Sequence, residues 1–482
     1  MASTSATNGA LPPGEVEELD RRARRSWSPQ RTFAVLAMCF GSLHVFATPP
    51  MNAPDELAHM ARAWIVSEGV LVAAGPHAPQ DVTVPRSLLA LQQRVHGLWP
   101  WKQPARIRDY RMFGNLLDTT LAPTDRVHVS SLSWGYSIPY YSPLAYLPAA
   151  AAVGIGRLLE LSPAVLVYLA RLANLLLWIG ALAAAIRATP FRRWTFCLLA
   201  LMPMPLALAT SVSADTATTA AVLFFIAWTL RLAFSPGQRV TPHEAVGLLA
   251  LAALLGLVKP GYWPVAAAAL LIPPSRFRSR SSRIVVLASV AVAAVTPTLV
   301  FLLMQRSLLP PAASPDQVWE QLRFIGQAPF AYLTVLMRSL WVGLYKYSAS
   351  FVGVLGRADI WLPVPLYLAY LAALLASALL DVNDPNTLTP PRRWGLLALF
   401  GACVALLMTL SYAAWNPIGS PVIRAVHGRY FIGISALLLV ALPAGVLPLR
   451  WKPPGLPAQW VISFSIPVQS VVLWIVVHRY WV

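Results

Sequence analysis

Charge is scarce in this chain. Asp, Glu, Lys and Arg make up 12% of its 482 residues, and the acidic share is only 19 side chains. Soluble domains carry about 25% charged residues, so a wholly water-exposed globular protein is excluded. Cysteine is scarcer still. Cys39, Cys197 and Cys403 are the three present, each inside an apolar run, which argues against a disulfide framework or a thiolate metal cluster. Nucleotide-binding signatures are missing too: no G-x-x-x-x-G-K-[ST], no G-x-G-x-x-G behind a strand and no C-x-x-C pair occurs. The substrate is therefore not expected as ATP or a nucleotide-sugar held by such a loop.

What is abundant is apolar sequence, 57% of the chain. The longer runs are about 17–22 residues long, enough to span a bilayer, and all are continuous rather than alternating, so they read as helices. They fall at about 32–46, 142–153, 164–186, 196–209, 217–233, 245–258, 262–272, 284–304, 363–380, 396–414, 431–446 and 460–477, with a weaker amphipathic stretch at 330–347. The fold class is all-α, a polytopic transmembrane bundle of about 11–13 spans.

Net charge is +18, from 37 Lys and Arg against 19 Asp and Glu. In a soluble chain that excess would suggest nucleic acid. Here the basic residues bunch between apolar runs, as in cytoplasmic loops, so no nucleic-acid partner is expected. Residues 1–30 are polar, carry Arg21, Arg22, Arg24 and Arg25, and read as a disordered cytoplasmic tail before an uncleaved signal-anchor. Residues 31–482 then form the transmembrane domain, and 50–139 its first external loop. Placing Arg187/Arg192/Arg193, Arg231/Arg239, Arg276–Arg283, Arg392/Arg393 and Arg450/Lys452 inside puts Asp55, Asp215, Lys259, Asp359 and Arg424/His427/Arg429 outside. Parity is the exception: 142–186 reads as two spans where the topology needs an odd number. Either 142–153 is re-entrant or interfacial, or Pro203 and Pro205 break the next segment.

Several polar groups stand out against this background. Segment 52–69 reads as a helix, with Asn52 as N-cap, Pro54 in the first turn, Asp55 and Glu56 at the positive end and Gly69 as stop. Asp55, His59 and Arg62 then share a face. The acids read as a general base and its support, or merely as helix-start acids; a divalent metal on Asp55 and His59 stays open. Tyr140, Tyr141 and Tyr146 fit a cavity lip or an aromatic belt. Arg171 and Asn174, inside an apolar run, suit lipid-phosphate contact or helix–helix hydrogen bonding. Asp215 and Lys259 suit a substrate hydroxyl and a phosphate, or else a helix cap and a snorkelling lysine. Arg424, His427, Arg429 and Tyr430 crowd a span end that should be poor in positive charge, which favours an anionic ligand.

In order, P-DE-x-x-H (for a family P-x-DE-x-x-H, with Asp55 here directly after Pro54), Y-x-P-L-x-Y, R-x-x-N, S-x-S-x-D, K-P-x-Y and H-G-R-Y-F resemble the bacterial membrane proteins grouped as domain of unknown function 2142. Here His427 stands where that family usually has Gln, and its Gly-Trp-Leu-Asp is reduced to Gly353 through Asp359. The group in turn is similar to GT-C glycosyltransferases, polytopic enzymes that use polyprenyl-phosphate-linked sugars. That resemblance implies a catalytic acid in the first external loop, best fitted by Asp55, with Glu56 beside it and Lys259 or Arg429 holding the donor phosphate. The expectation is an inner-membrane transferase with its site on the periplasmic face. Asp55 and Glu56 would be catalytic. His59, Arg62, Tyr141, Arg171, Asp215, Lys259, Arg424, His427, Arg429 and Tyr430 would bind substrate or phosphate. The expected partners are a polyprenyl-phosphate-linked donor, a periplasmic-side acceptor and membrane lipids; no cofactor is identified, with a divalent metal left open. The alternatives are a lipid-linked glycan flippase and an O-antigen-type polymerase or ligase.

Overall fold

The structure is a computed structural model that describes residues 27–71, 83–96, 110–128, 142–235, 237, 239–304, 315–380, 388–443 and 458–482. Residues 1–26 of the expected tail, Tyr140, Tyr141, Arg450 and Lys452 lie outside these, as does much of the first loop, and Pro29 and Gln30 belong to the first helix. The described chain is helical apart from two short strand pairs. Five of its helices are long and apolar enough to cross a membrane, and shorter apolar helices accompany them.

Helix α1 (Pro29–Ala47) ends where Pro49 and Pro50 follow Thr48, because the residue before a proline avoids helical geometry. Helix α2 (Glu56–Ser67) begins four residues later than the sequence suggests. Pro54 restricts Ala53, and Asp55 adopts left-handed backbone (φ 56°) as its N-cap. Asn52 does not cap the helix; its amide donates to the Pro50 carbonyl. Above α2, strand β1 (Thr83–Pro85), helices α3 (Arg86–His96) and α4 (Tyr110–Leu117) and strand β2 (Arg126–His128) make a small cap. The strands pair antiparallel, and Arg126 forks onto Glu68 at the end of α2 with two 2.8 Å bonds.

Helix α5 (Leu147–Leu158) resolves the parity problem. It runs beside α2 in the same direction: His59 meets Tyr146 just before it, and Arg157 near its end meets Ser67 and Glu68. It therefore returns without crossing, and α6 (Pro163–Ala188) makes the crossing. Next come α7 (Arg193–Leu201) and α8 (Pro203–Ala209), one crossing broken at Met202. Pro205 has no N–H for the Leu201 carbonyl, and Gln469 supplies the donor instead at 2.5 Å. Such a break is tolerated at membrane depth only when its backbone groups find partners.

Helices α9 (Ala214–Phe234) and α10 (Pro242–Val258) follow. Lys259 precedes Pro260 and ends α10, and a 3-10 segment (Trp263–Leu271) leads back toward α11 (Arg280–Met304). Helices α12 (Pro315–Gln327) and α13 (Pro329–Val352) do not cross. Gln317, Ser339 and Ser350 along them bond Asn416, Ile423 and Gly428, all in one loop. The amphipathic stretch near 330–347 thus lies over the helix ends. A hairpin of β3 (Val354–Leu355) and β4 (Ile360–Trp361) leads to α14 (Val364–Leu379) and α15 (Pro390–Trp415). A 3-10 turn (Gly428–Phe431) opens α16 (Ile432–Ala441), and α17 (Ala458–Trp481) closes the described chain.

The bundle has two chemically distinct ends. At one, Arg192 and Arg393 donate to the Leu442 carbonyl, Arg392 lies over Phe234 and Arg276 bonds the Ser235 carbonyl. At the other lie the starts of α9 and α16 and the ends of α1, α10 and α17, with Trp481 donating to the Ala47 carbonyl at 2.7 Å. The arginine-rich loops gather as the charge pattern predicts, and the polar outliers gather opposite them.

Candidate functional site

Neighbouring acids Asp55 and Glu56 point into different environments. Glu56 starts α2 and its carboxylate is fully buried. Arg171 of α6 grips it bidentately at 2.7 and 2.6 Å, and the Val212 and Ala53 amides donate to it as well. The same guanidinium donates to the carbonyls of Val45, Thr48 and Pro49; the first of these would otherwise face Pro49, which has no N–H to offer. This knot ties α1, α2, α6 and the start of α9 together. It consumes both groups, so Glu56 and Arg171 are architectural. Arg62 is spent similarly, on the Val70 and Leu71 carbonyls. Asn174 donates to the Ser211 carbonyl, as helix–helix bonding requires.

Asp55 is different. Its carboxylate is 48% exposed and faces a cavity of about 200 Å³. Arg429, just before α16, approaches it at 3.4 Å. The Nε of that guanidinium lies 3.4 Å from Asp215. Asp215 sits in the first turn of α9, where Ser213 caps the helix, and Lys259 contacts it at 2.8 Å. Lys259 also lies over the Tyr430 ring, 4.5 Å from its centroid, and Tyr262 holds the Tyr430 carbonyl at 2.8 Å. Asp215 therefore orders both cations, and Asp55 is the one acid of the pair that faces open space.

Arg429 is placed by a close approach. The Gly428 amide donates to Ser350, and a β-carbon on Gly428 would overlap the Tyr347 carbonyl. Only glycine lets the loop lie this flat against α13.

His59 and His427 flank the acids. His59 is buried and its Nδ1 lies 2.6 Å from the Tyr146 hydroxyl. Burial lowers its pKa to about 4, against Asp55 and Asp215, which raise it, and with Lys259 and Arg429, which lower it further. His427 lines the cavity and packs edge-on against Tyr430. Burial, then Arg429 and Lys346, lower it to about 4 as well. Both imidazoles are neutral at pH 7, so neither adds positive charge or competes with Arg429 for an anion. Among the described residues no cluster of three or more His, Cys, Asp or Glu has the arrangement of a metal site, and Asp55 and His59 gain no third ligand there.

Asp55, Asp215, Lys259, His427, Arg429 and Tyr430 thus come together, with His59 behind them. Arg424 does not join: its side chain is exposed, and its backbone amide bonds Asn416. The aromatic that reaches His59 is Tyr146, five residues beyond Tyr141. Two cavity residues escaped sequence reading, Gln92 on α3 and Arg357 in the β3–β4 turn. Gln92 carries no signal. Arg357 does: it is another cation on the face that should be poor in them.

The family described as "Predicted membrane protein (DUF2142)" matches residues 38–438. The chain belongs to that family. The match runs from α1 into α16 and so includes every residue of the cluster. No curated protein and no solved structure matches the chain. Membership makes this a membrane protein, its five long apolar helices make it multi-pass, and its chemistry is left to the site.

Proposed function

We propose that the protein is a glycosyltransferase of the bacterial inner membrane, moving a sugar from a polyprenyl-phosphate-linked donor to an acceptor on the periplasmic side. One observation carries this reading: the half-exposed Asp55 carboxylate shares a cavity wall with Arg429, 3.4 Å away, at the helix ends opposite the arginine-rich loops. A base and an anion-binding cation within one small cavity are what such a transfer needs. The ordered motifs resemble the DUF2142 proteins, and the similarity of that group to GT-C enzymes supports the same reading.

In this mechanism the acceptor hydroxyl oxygen attacks the anomeric carbon. The bond from that carbon to the phosphate oxygen breaks, and its electron pair leaves with the polyprenyl phosphate. Asp55 takes the hydroxyl proton as the new bond forms. Arg429 receives the developing phosphate charge, preorganised by Asp215 and Lys259. Displacement in one step inverts the anomeric centre. The neutral His427 and Gln92 line the space where the sugar and acceptor would meet.

The test is transfer from a lipid-linked sugar by purified protein and by Asp55→Asn. Loss of transfer with an unchanged melting temperature is expected; wild-type turnover removes Asp55 as the base. Lipid movement across proteoliposomes without any transfer would favour a flippase instead.

A further inference from the structure

The hairpin that carries Arg357 is built to hold that side chain still. Gly356 and Ala358 both take left-handed backbone (φ 62° and 67°), which forces a tight turn. The Asp359 carboxylate closes it, accepting the Arg357 amide at 2.9 Å and Arg479 of α17 at 2.7 Å. At the hairpin base, the Tyr367 hydroxyl accepts from the Leu362 amide and donates to the Gly353 carbonyl. The turn is thus clamped from α14 and α17 together. Its tip, Arg357 and Ala358, forms part of the cavity wall that Asp55, His427 and Arg429 complete.

Two guanidiniums, Arg357 and Arg429, and two acids, Asp55 and Glu56, line this cavity. Glu56 is sealed with Arg171, Asp55 opens into the cavity, and Arg429 divides itself between Asp55 and Asp215. Asp359, two residues from Arg357, attracts it and also holds Arg479. Arg357 is half-buried, and burial lowers its pKa against the pull of Asp359, Tyr480 and Asp55. An anion in the cavity would meet both guanidiniums and would compete with Asp55 for Arg429.

We infer that Arg357 and Arg429 form a two-armed phosphate site on the walls of the Asp55 cavity, and that a lipid-borne phosphate bound there draws Arg429 away from Asp55. This rests on the reading of the cavity as the donor site and adds an order to it: the donor binds first, and its phosphate frees the base. A guanidinium suits the task because its planar fork meets two phosphate oxygens at once.

The experiment measures binding of farnesyl phosphate, inorganic phosphate and farnesol to the full-length protein in nanodiscs, with no transfer required. Farnesyl phosphate should bind well and the other two poorly. Arg357→Gln should weaken it by about 10- to 100-fold, the worth of a charged hydrogen bond, with Arg357→Lys in between. Asp55→Asn should tighten it several-fold, and Arg424→Gln should change nothing. Melting temperatures of all four variants check that each folds. Wild-type affinity in a folded Arg357→Gln overturns the site. Weaker binding in Asp55→Asn overturns the competition, and equal binding of inorganic phosphate overturns the lipid source. If the phosphate results hold while no donor supports transfer, the site stands and the transferase reading falls.

Discussion

Asp55 and Glu56 are consecutive acids with opposite fates. Glu56 is sealed with Arg171 in a pocket where every polar atom of the pair has a partner. Asp55 stands half in a cavity and holds one long contact to a cation that another acid also claims. The contrast shows how one residue type divides labour. A carboxylate whose hydrogen bonds are complete and dry fixes architecture. On the proposed reading, one left partly wet, with a shared partner, serves as the base and yields its cation to a ligand.

The largest effect expected from breaking this contrast is at the sealed pair. Glu56→Gln strands the Arg171 charge in a dry site, which costs about 3–5 kcal/mol. Thermal unfolding in detergent should show that loss, and adding Arg171→Met should recover part of it. Asp55→Asn should do the reverse, leaving the melting temperature unchanged while transfer falls by about 10²- to 10⁴-fold, the usual weight of a general base. If the two variants behaved alike, the division of roles between these neighbours would be wrong.

A third variant acts on the loop instead of the charges. Gly428→Ala pushes the chain off the Tyr347 carbonyl and should cost about 1–3 kcal/mol as an overpacked contact. Because Arg429 is the next residue, its transfer rate should fall further than its stability alone explains.

The smallest effect is a pH dependence. His59 and His427 titrate near 4 in the fold and near 6.5 when unfolded. Their folded values are depressed, so the unfolded chain binds protons first as pH falls. Stability should therefore be full above about 6.5, decline from there to about 4, and level off below. Melting curves across that window check it, and His427→Gln should flatten part of the slope.

Much of the bundle was legible in the residues. Long apolar runs in a bilayer must become helices, since nothing else satisfies their backbone there, and the observed α6, α9, α11, α15 and α17 fall on the expected runs. Basic residues between runs sorted the ends correctly, because each placement is a local cost that needs no knowledge of neighbours. That same sorting collected Asp55, Asp215, Lys259 and Arg429 at one end before any contact was known.

Contact geometry was another matter. Nothing local marks α5 as returning alongside α2, since 142–153 is as apolar as a crossing; the Arg157–Glu68 and His59–Tyr146 contacts decide it. Nothing local separates Asp55 from Glu56 either. Their fates depend on Arg171, which arrives from 115 residues away, and on Arg429, which arrives from 374. Composition and charge spacing determined that the long apolar runs are helices and which end carries the polar groups, because solvent alone enforces both. Only the packed fold decided which acid is sealed, which is open and that Arg357 lines the cavity, because those outcomes turn on distances of a few ångströms between remote parts of the chain.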